Sequence, residues 1–328
     1  MFTVNNDFWK DKSVFVTGAS GFLGSWLVRS LVDAGAHVSA LMRDTTPRSL
    51  LVQTGYHTKI TRVNGQLEDY DLIVRTLAKY VVDTIFHLGA QPIVATAIES
   101  PRATFETNVR GTWNVLDAAR VTGSVKCIVV ASSVNAYGAQ SELPYRETHD
   151  LKARYPYDVS KSATDMIARS YFAAYDLPVV VTRCTSLYGG GDFNFNRVVP
   201  GTIVRVLENI QPVIKNGGKY LRDFIYIEDA VEAYLALAEK INDPSVRGGA
   251  FNIGTGKPSS VLAAVEKILV LMKSSLHPKF LDDAFPQEIP DQYVNSNKAK
   301  EACGWEARTS LEEGLNKTIA WYRSNPYR

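Results

Sequence analysis

The stretch VFVTGASGFLGSWL (residues 14–27) decides the fold. An apolar run closes on Thr17, glycines follow at positions 18, 21 and 24, and an amphipathic segment opens directly behind them. This is strand, tight turn and helix in succession. Gly18 permits the turn, Gly21 lets backbone N–H groups approach a diphosphate, and Gly24 lets the helix lie close to the sheet. The N-terminus of that helix favours the negative charge. A dinucleotide is the expected occupant.

Downstream the same alternation repeats. The apolar runs HVSALM (37–42), ITRV (60–63), TIFHLGA (84–90), KCIVVASS (126–133) and PVVVTRCT (178–185) alternate with helical patterns over 21–34, 71–80 and 101–121 and from Tyr157 onward. Strands that are apolar almost throughout have both faces covered. The pattern predicts an α/β chain with a Rossmann-type doubly wound parallel sheet. After Tyr188 the texture changes to GGGDFNFNRVVP (189–200), rich in Gly and Asn. We therefore expect a dinucleotide-binding domain over 1–185 and a smaller C-terminal mixed α/β substrate lobe over 186–328. Some chain exchange between them is expected, around a shared cleft.

Composition narrows the function classes. The 328 residues carry 36 basic and 34 acidic side chains, a formal net charge of +2 that argues against nucleic acid or an anionic membrane as partner. The opening MFTVNNDFWKDK lacks a secretory pattern and no apolar run is long enough to span a bilayer, so a cytoplasmic location is expected. Cys127, Cys184 and Cys303 are far apart, and neither they nor the five histidines have metal-ligand spacing. No metal is expected.

The end of the second strand selects between dinucleotides, because a carboxylate binds the ribose hydroxyls whereas an arginine accommodates a 2′-phosphate. Here Arg43 and Asp44 stand side by side after Met42, with Arg48 nearby. The choice between NAD and NADP stays open. At the other end of the sheet, Tyr157 and Lys161 sit four residues apart at a helix start, which stacks them on one face. Ser132 and Ser133 close the fifth strand, where a crossover brings their hydroxyls to the same cleft.

Together TGASGFLG, HLGAQ, TNVRGTWNVLDAAR, ASSVNAYG, YPYDVSK, TRCTSLYGGGD and YLRDFIYIEDA, with the late Gly304–Trp305 pair, resemble the extended short-chain dehydrogenase/reductase family. The likeness is to its members that epimerise, dehydrate or decarboxylate nucleotide-diphosphate sugars. The opening FWKDKSVFVTGASGF, the AQPIV loop and GGGDFNFNRVVP resemble CDP-glucose 4,6-dehydratases most, whereas LRDFIYIEDA is more typical of 4-epimerases.

The resemblance implies roles. Tyr157 is the general base, Lys161 supplies positive charge and binds the nicotinamide ribose, and Ser133 hydrogen-bonds the hydroxyl that becomes a ketone. Implied cofactor contacts are Gly18, Gly21, Phe22, Leu23, Gly24, Arg43, Asp44, Leu67, Leu88, Ala90 and Asn108, besides Tyr157 and Lys161. Implied substrate contacts are Gln91, Ser133, Asn135, Ser186, Arg197, Arg222 and Tyr293. Arg197 and Arg222 suit a diphosphate, though each could instead form an ion pair. Tyr293 either closes over the base or packs, and Asp229 caps or braces its helix. A homodimer through the helices at 101–121 and after Tyr157 is implied as well.

Two departures shape the functional expectation. The 4,6-dehydratases use an acid and a base directly after the strand-five Ser/Thr, where this chain has Val134 and Asn135. Neither transfers protons well. The other departure lies in the substrate and adenine contacts, where Ser186 replaces a usual Asn and Gln66 a usual acid. The first expectation is an NAD(P)-dependent nucleotide-sugar epimerase acting through a transient 4-keto-hexose. The alternatives are an atypical dehydratase, an NADPH-dependent 4-keto-sugar reductase and, outside enzymes, a dinucleotide sensor.

Overall fold

The parallel strands β1 (Ser13–Thr17), β2 (His37–Met42), β3 (Thr61–Asn64), β4 (Thr84–His87), β5 (Cys127–Ala131) and β6 (Val179–Cys184) form most of one seven-stranded sheet. Its order is Ala250–Ile253, β6, β5, β4, β1, β2, β3. The computed structural model describes residues 5–44, 47–281 and 288–325, so the opening Met1–Val4 lies outside the described residues.

Period-two alternation sorts each strand between two cores. Val14 and Val16 pack on one face with Leu27, Phe86 and Val129. Phe15 packs on the other with Leu77, Ile85, Leu116 and Ile128. The reversal of strand order between β1 and β4 opens a crevice at the carboxyl ends of the strands, the general ligand site of such sheets.

The helical pattern over 101–121 is not one regular helix. It runs as Pro101–Phe105, a π-helical turn Glu106–Arg110 and Gly111–Thr122, ending where Gly123 adopts φ +68°. The extra residue in the turn sends the Asn108 side chain inward, where it is buried. Chain beyond residue 185 also returns to the sheet. Ala250–Ile253 pairs with β6 in the register Ala250↔Val181, and helix Ile227–Glu239 packs over β5 and β6. A further cluster of Tyr188, Ile203, Phe224, Ile268 and Ile319 sits away from the sheet. Among the described residues no helix is long and apolar enough to cross a membrane.

Candidate active site

The glycine turn is built as its spacing requires. Gly18 sits at φ +74°, and a Cβ there would lie 2.7 Å from the Gly89 nitrogen. At Gly24 a Cβ would lie 2.1 Å from the Gly18 carbonyl oxygen. Gly21 precedes helix Phe22–Asp33 and its N–H donates to Gly18 O at 3.0 Å. The N–H groups of Phe22, Leu23 and Gly24, in the first turn, have no intrahelical partner and are left for an anion.

A cavity of ≈690 Å³ starts at this turn and runs along the strand ends. Arg43 and Asp44 line it after β2, Leu67 after β3, and Leu88 and Ala90 after β4. Arg43 donates to Asp44 at 2.7 Å, and both side chains are exposed. Glu68, which the sequence reading passed over, also lines this end and accepts from the Thr107 hydroxyl at 2.8 Å.

Ser133, Asn135, Tyr157, Lys161, Ser186, Arg197 and Arg222 meet at the opposite end of the same cavity. Tyr157 lies in the first turn of helix Pro156–Tyr175, with Lys161 one turn on. Lys161 is buried and its Nζ donates to the Ala131 carbonyl at 2.8 Å. Ser132 donates to the Lys161 carbonyl at 3.0 Å, which ties the helix back to the strand. Burial pushes the Lys161 ammonium down to about 8. Burial also raises the Tyr157 phenol, opposed by its hydrogen bond with Ser133 and by the Arg197 charge.

Beneath the lysine lies buried His87. Its Nδ1 is 2.8 Å from Thr17 Oγ1 and its Nε2 is 3.1 Å from Thr112 Oγ1. Burial first, and then the Lys161 charge, lower His87 to about 3, so the ring is neutral.

Asn135 is held from two sides. Its amide donates to Asp158 at 2.8 Å, and its carbonyl accepts from Gln292 at 3.3 Å. Asp158 is buried, and desolvation raises its carboxyl to about 6 against the opposing Asn135 hydrogen bond. It follows Tyr157 directly, yet an acid in a first helical turn is ordinary and gave no signal. Arg197 pairs with buried Asp192 at 3.0 Å, and buried Arg222 pairs with Glu288 at 2.6 Å and donates to the Ile289 carbonyl. Both arginines therefore reach the cavity already bonded.

Three expected contacts are not among the residues that line the cavity. Asn108 accepts from the Gln91 N–H at 2.7 Å and donates to Ser160 at 2.9 Å. Gln91 turns its amide to Ile93 and Thr104. Tyr293 accepts from the Tyr145 N–H through its backbone. Asp229 braces a neighbouring loop by accepting from the Thr309 N–H at 2.9 Å and its hydroxyl at 3.1 Å.

A glycine turn before a helix, with Ser, Tyr and Lys at the far end of one cleft, can be compared with known proteins. The family model described as GDP-mannose 4,6 dehydratase matches residues 15–318. The chain belongs to this family. Among curated relatives, the CDP-glucose 4,6-dehydratase of Salmonella typhimurium is 26% identical over 98% of this chain and 93% of its own. Among solved structures, the UDP-glucose 4-epimerase of Thermotoga maritima, determined with UDP-glucose, superposes at TM-score 0.87. It is 27% identical and covers 95% of this chain and 99% of its own. DesIV of Streptomyces venezuelae, a dTDP-glucose 4,6-dehydratase with NAD bound, gives TM-score 0.85 at 25% identity, covering 95% of this chain and 97% of its own.

The chain is thus an enzyme of the extended short-chain dehydrogenase/reductase type, within its epimerase/dehydratase group. An NAD(P)-type dinucleotide fits the cavity, because the first turn of helix Phe22–Asp33, with its unpaired N–H groups, lines it together with Tyr157 and Lys161.

Proposed function

We propose that the protein is an NAD(P)-dependent epimerase of a nucleotide-diphosphate hexose, acting through a transient 4-keto sugar with Tyr157 as the base. One observation carries this reading over dehydration. Among the described residues that line the cavity, the only carboxylates are Asp44 and Glu68, and both lie at the end near β2 and β3. Around Ser133 and Tyr157 the wall offers buried Val134 behind it, the Asn135 amide and the Cys184 thiol, which burial holds protonated. Eliminating water from carbons 5 and 6 needs an acid and a base there. A reversible oxidation at carbon 4 needs only one proton acceptor.

The dinucleotide supplies the hydride acceptor. Tyr157 takes the proton of the sugar's 4-hydroxyl and returns it, while Ser133 holds that oxygen. The Lys161 charge stabilises the phenolate against the burial that opposes it. Arg197 and Arg222 face the diphosphate. A second reading, an NADPH-dependent 4-keto-sugar reductase, is favoured by Arg43 on the cavity wall. A homodimer is part of the proposal, supported by exposed Trp113, Val121, Met166 and Tyr175 on two helices packed side by side. Elution as a monomer at micromolar concentration would remove that part.

The deciding experiment incubates purified protein with UDP-, CDP-, GDP- and dTDP-hexoses, with NAD and NADP supplied separately, and reads products by mass spectrometry and NMR. An isomer of unchanged mass is the expected product. Loss of water overturns the epimerase reading, and stoichiometric NADPH consumption in a parallel incubation of NADPH with a 4-keto-hexose nucleotide replaces it with the reductase.

A further inference from the structure

A line of three side chains joins the segment that carries Arg222 to the helix turn that carries Tyr157. Gln292 Nε2 donates to Asn135 Oδ1 at 3.3 Å, and Asn135 Nδ2 donates to Asp158 Oδ1 at 2.8 Å. At one end the backbone of Gln292 brackets Arg222: its N–H donates to Leu221 O at 3.0 Å and its carbonyl accepts from the Asp223 N–H at 3.1 Å. At the other end Asp158 directly follows Tyr157 in the first turn of its helix. Asn135 and Arg222 line the cavity with Ser133 and Tyr157, whereas Gln292 and Asp158, 9% and 3% exposed, do not.

The acid at the end of this line fixes its direction. An ionised carboxylate only accepts, so the amide nitrogen of Asn135 must face Asp158, and its carbonyl is left for the Gln292 amide. A neutral acceptor would satisfy the Asn135 amide without burying a charge, and burial of this carboxyl opposes its ionisation. What the carboxylate adds is a single orientation of Asn135. That orientation reaches Ser133. Ser133 Oγ accepts from the Asn135 N–H at 3.2 Å and lies 3.5 Å from the same Oδ1 that Gln292 meets, and it is also the hydroxyl bonded to the Tyr157 phenol.

We propose that Gln292 is a positioning residue for the reaction, acting through Asn135 to hold Ser133 against Tyr157 at a fixed separation from Arg222. The inference rests on the function proposed above, which gives the diphosphate arginine and the base one substrate to share. A hexose nucleotide held at its diphosphate presents carbon 4 to the base only if the two ends of the site keep their spacing, and a misplacement of about 1 Å costs rate more than binding.

The test measures Gln292→Met, Asn135→Ala and the double variant against the wild type, each supplied with NAD or NADP and with UDP-, CDP-, GDP- or dTDP-glucose, the isomer being quantified by NMR. On the hexose nucleotide that the wild type converts, Gln292→Met should lower kcat by about three- to tenfold, the weight of one neutral hydrogen bond. Its KM, and its affinity for the free nucleoside diphosphate by calorimetry, should stay within about twofold. In the Asn135→Ala background the same substitution should change kcat by less than about twofold, because the route through Asn135 is already gone. Gln292→Leu serves as a second variant, since either side chain keeps the backbone bonds to Leu221 and Asp223. An unchanged kcat in both Gln292 variants overturns the inference, as does a full loss in the Asn135→Ala background or an equal loss of diphosphate affinity. Failure of both variants to fold overturns it too, because the amide would then serve the fold. If the wild type binds NAD or NADP yet converts none of the four sugar nucleotides, the epimerase reading itself fails and the positioning role falls with it.

Discussion

The Lys161 ammonium donates to the Ala131 carbonyl at 2.8 Å, joining the last residue of β5 to the second turn of helix Pro156–Tyr175. Ser133 stands two residues after Ala131, and Tyr157 stands one turn before Lys161. The Lys161–Ala131 bond and the one from the Ser132 hydroxyl to the Lys161 carbonyl at 3.0 Å together set the register at which hydroxyl, phenol and ammonium meet. They also leave Lys161 on the wall of the cleft that Tyr157 lines.

The most direct test of the proposed mechanism replaces the Tyr157 phenol without moving its ring. Tyr157→Phe keeps the ring and removes the proton acceptor, so kcat should fall by about 10²- to 10⁴-fold. NAD(P) affinity, measured by fluorescence titration, should change little. Retention of more than a tenth of the wild-type kcat would exclude Tyr157 as the base.

The lysine should be visible in the pH profile. In the proposed mechanism Tyr157 acts deprotonated, so activity rises with pH along its acid limb. Lys161→Met removes a positive neighbour that favours phenolate, and the limb should move up by about one unit or more. An unmoved limb in kcat/KM against pH would show that the Lys161 charge does not act on the phenol.

Gly24 has no room for a side chain, since a Cβ would lie 2.1 Å from the Gly18 carbonyl oxygen and 2.9 Å from the Ala19 Cα. Backbone cannot yield as a flexible side chain does. Gly24→Ala should cost roughly 1–3 kcal/mol in urea unfolding. It should also weaken NAD(P) binding, because the displaced turn is the one that receives the diphosphate. A variant as stable as the wild type would mean that helix and turn can separate freely.

Asp158 makes a stability prediction with a definite sign. Its folded carboxyl, raised to about 6 by burial, binds a proton that the unfolded chain has released at the ordinary 3.8. Its contribution is therefore fully present below the unfolded value and is lost as pH rises through about 6. Asp158→Asn keeps an acceptor for the Asn135 amide and removes the buried charge. It should stabilise the protein at pH 8 by roughly 1–3 kcal/mol, with the gain shrinking toward pH 4. Denaturant unfolding across that range checks it, and a constant difference with pH would refute the assignment.

Much of this protein could be read from local pattern. The glycines at 18, 21 and 24 impose a turn because backbone occupies the places where their side chains would be. The apolar runs specified the parallel strands because both sheet faces are covered, and four-residue spacing was enough to put Tyr157 above Lys161. Each follows from interactions among near neighbours in the chain, so each is written in a short stretch of sequence.

What tertiary structure alone decided depends on partners far apart in the chain. Arg222 meets Glu288 across 66 positions, Asn252 on the added strand holds the Tyr137 hydroxyl across 115, and the π turn aims Asn108 at Ser160 instead of into the cleft. Asp158 carries no motif, and only burial separates it from an ordinary surface aspartate. Burial is a property of the packed chain, since desolvation arises only when distant segments exclude water together.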